Sequence, residues 1–118
     1  MGYYIQAGKQ VATIGYCGYL ILMKKAAAKT TPESEPLFES LLRGALSGKT
    51  DKWDELCDML PDEIVRFICI HDKDTIPHET ARKFADILDK LDNLSDREIK
   101  VRELFRYARR HHANIHIS

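Results

Sequence analysis

The sequence predicts a mainly α protein, a compact bundle of about five helices, with or without a short N-terminal β-hairpin. Three observations predict it. Apolar residues recur at helical spacing through most of the stretch from 36 to 112. The connections between these periodic stretches are short, which favours antiparallel neighbours. Strand-favouring residues gather only near the start, in YYIQ and VATIG. A chain of 118 residues, 44% hydrophobic and 31% charged, has the size and composition of one globular domain. That domain is read as 1–118, with a basic N-terminal segment 1–29 and a helical core 36–112.

Residues 3–6 and 10–16 read as extended, with Ala7, Gly8 and Lys9 as a turn between them. A helix over about 10–29 competes for the same residues, because LILMKKAAAK is a good helix former. Residues 30–36, TTPESEP, form a polar connector. Leu37, Phe38, Leu41, Leu42, Ala45 and Leu46 then make an apolar arc that Gly48 ends. Thr50 or Asp51 caps a second helix with Trp53, Leu56, Cys57 and Leu60 on one face. Pro61, Asp62 and Glu63 start a third, buried element over 64–70. Residues 77–92 place Ala81, Phe84, Ala85, Leu88 and Leu91 on one face, with Glu79–Lys83, Arg82–Asp86 and Asp86–Lys90 as i,i+4 pairs on the other. Ser95 and Glu98 form a capping box for the last helix, where Val101, Leu104, Phe105 and Ala108 face inward.

Cys17, Cys57 and Cys69 are odd in number and lack CxxC spacing, as in a reducing compartment. The apolar run 11–23 is too short to span a bilayer, which needs about 20 residues. Lys24 and Lys25 separate that run from Ala26, Ala27 and Ala28, unlike a signal peptide and its cleavage site. A cytoplasmic protein with no membrane association is expected.

The formal net charge is zero, but the charges are segregated. Residues 1–32 hold four lysines and no acid, residues 33–96 hold 16 acids and 8 bases, and residues 97–118 hold 6 bases and 2 acids. On the last helix Arg102, Arg106 and Arg109 follow one another at i, i+4 and i+7, with Arg110 beside them. Lys24, Lys25 and Lys29 would extend this stripe if the two ends meet, and the whole could grip phosphates. The pI of about 7.0 lies well below the value of roughly 9 typical of nucleic-acid domains.

Catalytic patterns fail on inspection. Gly44 to Thr50 resembles a phosphate loop, but only three residues separate Gly44 from Gly48, where four are needed. His71, Asp72, Asp74 and His78 are metal-type ligands without a standard spacing, and they read as a polar connector in which Asp74 or Thr75 caps the helix containing Pro77. His112 and His116 raise the same question at the C-terminal end, although His112 falls on the apolar arc of its helix, as a hydrogen-bonded histidine would. Cys17 lacks a visible activating base, and no Gly-x-Ser-x-Gly elbow occurs.

No enzyme, cofactor or metal is expected. The reading is a small helical protein-binding module that regulates, inhibits or adapts a larger protein and self-associates as a homodimer. Its expected contact residues are Arg102, Arg106, Arg109, Arg110, Tyr16, Tyr19, Lys24 and Lys25, since tyrosine and arginine anchor interfaces. One alternative is a nucleic-acid-binding domain that uses the C-terminal arginine helix. A second is a metal-dependent hydrolase built on His71, Asp72, Asp74 and His78.

Overall fold

The computed structural model describes residues 2–30, 43 and 74–118. In chain order these form β1 (Gly2–Ala7), β2 (Gln10–Gly15), α1 (Tyr16–Thr30), β3 (Thr75–Ile76), α2 (His78–Leu88), α3 (Asp96–His111) and β4 (Ile115–Ile117). The four strands make one antiparallel sheet in the order β2-β1-β4-β3.

The hairpin follows from local chemistry. Tyr3, Ile5 and Ala7 alternate with Gly2, Tyr4 and Gln6, so one side of β1 is buried and the other exposed. β2 repeats this with Ala12 and Ile14 inward. Gly8 makes the turn at φ 57°, a left-handed conformation that glycine adopts without penalty. Register runs from Gly2↔Gly15 to Ala7↔Gln10. β4 then lies against β1, with Ile5↔Ile117 and Gln6↔His116, and its Ile115 and Ile117 join the buried face. Tyr4 and Ser118 exchange both backbone hydrogen bonds at 2.9 Å, carrying the pairing one residue further.

The helices cover that buried face. Phe84 of α2 and Phe105 of α3 meet edge to face, ring centroids 5.1 Å apart, and both are fully buried. Such a pair contributes roughly 1 kcal/mol beyond its buried area. Tyr3 of β1 and Tyr19 of α1 lie with ring centroids 4.5 Å apart in the same core, joined by Leu22, Met23 and Leu104. α3 runs along the hairpin. Arg97 in its first turn lines a cleft with Gly2 and Gly15, and Tyr107 near its end reaches Gly8.

The five-helix bundle is thus corrected to an α+β arrangement. The described residues hold a four-stranded antiparallel sheet with three helices, so the all-α description does not stand. The contested segment 10–29 divides at Gly15, with strand before and helix after. Thr75 and Ile76 are strand rather than connector, and the tail that holds His116 is strand as well. These two strands have two and three residues, too short for a period-2 pattern to show. The helices expected over 37–46 and 53–60 and the buried element over 64–70 lie outside the described residues, Arg43 excepted.

The capping box is present. Glu98 N–H donates to Ser95 Oγ at 3.2 Å, and Ser95 N–H donates to Glu98 Oε1 at 2.9 Å. The cap of α2 differs from expectation. Pro77 occupies the cap position, and Asn114 Oδ1 accepts the His78 N–H at 2.9 Å. Asp74 instead accepts the Thr75 N–H at 2.7 Å. His112 is exposed, at φ 50°, and ends α3 in the left-handed conformation, not as a core histidine.

Candidate functional site

Two arginines of the stripe, Arg106 and Arg109, are engaged within the fold. Arg106 donates from Nε to Asp89 Oδ1 at 2.6 Å and from Nη1 to Glu103 Oε1 at 2.7 Å. Arg109 donates from Nη1 to Asp86 Oδ1 at 2.8 Å and to Asp89 Oδ2 at 2.7 Å. Asp89 therefore receives both arginines, one on each oxygen. Burial pushes its carboxyl up, but the hydrogen bonds from Arg106 and Arg109 outweigh this and hold its pKa below the usual value. The hydrogen bonds to Asp89 raise both arginines above theirs. Arg102 is half-buried with Nε 3.7 Å from Glu103 Oε1, and that Nε has no hydrogen-bond partner. Arg110 is exposed and makes no ion pair among the described residues.

Of the other expected contact residues, Lys25, Lys24 and Tyr19 are engaged or buried within the chain. Lys25 Nζ donates to Glu98 Oε1 at 2.8 Å and to the Asn93 carbonyl at 3.1 Å. Lys24 is half-buried and engaged within the chain. Tyr19 is 1% exposed. Tyr16 begins α1, and its side chain lies outside the described residues. The lysine segment meets α3 at its acidic first turn. About 16 Å of helix axis lies between Glu98 and Arg109, so Lys25 and Arg109 do not share one patch.

Among the described residues the metal-type side chains form no cluster. His71 and Asp72 lie outside the described residues, and no group of three or more metal-type ligands forms among the described ones. His78 and His112 rings stand edge to face at 6.2 Å, and His116 is on the sheet, away from the helix that His112 ends. Gly44 to Thr50, Cys57, Cys69 and the Cys17 side chain also lie outside the described residues.

Among the described residues, the helices leave the other face of the sheet uncovered. Val11, Gln6, His116 and Thr75 are direct cross-strand neighbours, one from each strand, and form a row across all four. Beside it Thr13 pairs with Tyr4. All six are exposed, Tyr4 to 47% and Val11 to 44%. None carries a fixed charge. His116 Nδ1 and Thr75 Oγ1 lie 3.0 Å apart, within hydrogen-bond distance. At the Gly2–Gly15 end, Tyr4, Thr13 and Arg97 border a cleft of about 290 Å³.

Sequence reasoning missed this face because two of its strands were not seen. The alternation of β1 and β2 is the available signal: Tyr4, Gln6, Val11 and Thr13 are the outward half of a period-2 pattern in segments read only as extended. Comparison with protein-family models, curated proteins and solved structures yields no match.

Proposed function

We propose that the protein is a small protein-binding module that docks a larger protein, as a regulator or adaptor, through the uncovered face of its sheet. One observation carries the reading: the uncharged row Val11–Gln6–His116–Thr75, with Tyr4 and Thr13 alongside, exposed in a chain in which 31% of residues are charged. A tyrosine and a valine exposed beside hydroxyls and an amide have the makeup of interface residues rather than of a solvated sheet face.

Nucleic-acid binding through α3 is less favoured. Arg106 and Arg109 already face carboxylates, so a phosphate would have to displace Asp86, Asp89 and Glu103.

The test is affinity capture with nuclease present, comparing the wild type with Val11→Glu and with Arg110→Glu. Loss of a stoichiometric protein partner in Val11→Glu, and its retention in Arg110→Glu, supports the sheet face. Loss only in Arg110→Glu moves the interface to α3. In a parallel capture without nuclease, recovery of nucleic acid that falls steeply with salt sinks the reading.

A further inference from the structure

We propose that His78 and His112 form a two-histidine site for a divalent transition-metal ion. The inference goes beyond the docking reading and does not involve the sheet face.

The fold makes the pair, since the two residues lie 34 positions apart in the sequence. β3 and β4 are neighbours, with Ile76 opposite Ile115. Two residues after Ile76 the chain enters α2 at His78, and three residues before Ile115 it leaves α3 at His112. Both helix ends therefore stand at the same end of this strand pair. Asn114 Oδ1 accepts the His78 N–H at 2.9 Å and ties one backbone to the other. His112 is held at φ 50°, its N–H on the Ala108 carbonyl. The two imidazole rings meet edge to face with centroids 6.2 Å apart, and both residues are exposed.

The spacing suits a metal. Two bonds of about 2.1 Å at a tetrahedral angle place their nitrogens about 3.4 Å apart. Ring nitrogens lie on the rims, so facing rims are closer than the centroids. One rim already points at the other ring, and rotation about the broad χ2 torsion of histidine brings the second rim round. The backbone need not move. Imidazole donors select zinc, copper or nickel over magnesium. Two protein ligands leave the other positions to water, so the ion exchanges freely. Arg109, one turn before His112, is paired with Asp86 and Asp89 and sets no bare charge beside the ion. Arg82, one turn after His78, is exposed and screened by solvent. The other described histidines are engaged elsewhere. His111 lies against Tyr107 with centroids 4.3 Å apart, and His116 Nδ1 is 3.0 Å from Thr75 Oγ1.

The experiment is titration of the full chain, without an affinity tag, with zinc chloride, read from the histidine ring resonances in NMR. Magnesium chloride is titrated in parallel. The expected result is that the His78 and His112 rings shift together with zinc, saturate at one ion per pair, and ignore magnesium. Groups that only support a metal ligand cost 10- to 100-fold in affinity, so His78→Gln and His112→Asn should each weaken binding roughly tenfold or more. Asparagine tolerates the left-handed backbone at position 112, and circular dichroism checks that both variants are folded. His116→Gln should bind zinc as the wild type does. Zinc binding that survives both His78→Gln and His112→Asn, wherever else on the chain it sits, overturns the proposal. Loss in one of the two variants alone reduces the site to a single imidazole and overturns the pair. Wild-type His78 and His112 rings that stay unshifted up to about 1 mM zinc overturn it without any variant.

Discussion

Glu98 Oε1 accepts two hydrogen bonds at once, from the Ser95 backbone N–H at 2.9 Å and from Lys25 Nζ at 2.8 Å. One carboxylate oxygen thus closes the N-terminus of α3 and ties it to α1. Lys25 also reaches the carbonyl of Asn93, which sits at φ 54° in the connection before α3. The glutamate is 4% exposed, and its other oxygen has no hydrogen-bond partner. Lys25→Met should leave this buried carboxylate without its cation and cost about 1–2 kcal/mol, less than a fully buried pair because the lysine is partly exposed. Glu98→Ala should cost more, since it also removes half of the capping box. Urea unfolding of both variants checks the order. An equal cost would show that the capping half contributes nothing beyond the Lys25 pair.

Asp89 makes stability depend on acid. Its folded pKa lies below the ordinary value of 3.8 because Arg106 and Arg109 hold the ionised form. The unfolded chain binds the proton more readily, so the stabilisation is fully present above the ordinary value. It is lost as the pH falls through the lowered one. Asp89→Asn should therefore be destabilised by a constant amount, about 1 kcal/mol, between pH 7 and roughly pH 5. The gap to the wild type should close below about pH 4. Thermal unfolding against pH at low and high salt measures this. A gap that is the same at acid pH would remove the ion pairs as its cause.

The last two helices were legible because their signals are local. Ser95 and Glu98 stand three residues apart, and Phe84, Leu88, Leu104 and Phe105 recur at helical spacing on buried faces. The sheet was not legible because its partners are remote. β4 gains its place from pairing with β1, more than a hundred residues away in sequence, and Ile115 and Ile117 flank one histidine in a stretch too short to show a period. The arginines were visible but their partners were not. The i,i+4 pairing expected within α2 gives way to Asp86 and Asp89 reaching across to α3. Whether a charge faces solvent or a neighbouring helix depends on packing, which the spacing of arginines alone does not encode.

Asn114 caps a helix from the far end of the chain. Its Oδ1 accepts the His78 N–H, a group that the Pro77 side chain cannot serve. Asn114→Ala should cost about 1 kcal/mol and loosen the first turn of α2. Hydrogen exchange would show the effect as faster exchange at His78 and its neighbours, with the amides of α3 unchanged. Uniform acceleration over both helices would point to global destabilisation rather than a lost cap.

The turn at Gly8 carries two constraints that act on the same atom. Its φ of 57° disfavours any side chain, and a Cβ there would stand 3.0 Å from the Tyr107 hydroxyl. Gly8→Ala should therefore cost about 1–2 kcal/mol from the left-handed backbone, plus whatever movement Tyr107 requires. The two parts separate in a double-mutant cycle with Tyr107→Phe, which removes the hydroxyl that the new methyl would meet. If the steric part matters, Gly8→Ala should cost less in the Tyr107→Phe background than in the wild type. A cost unchanged between the two backgrounds would assign the whole penalty to the backbone conformation.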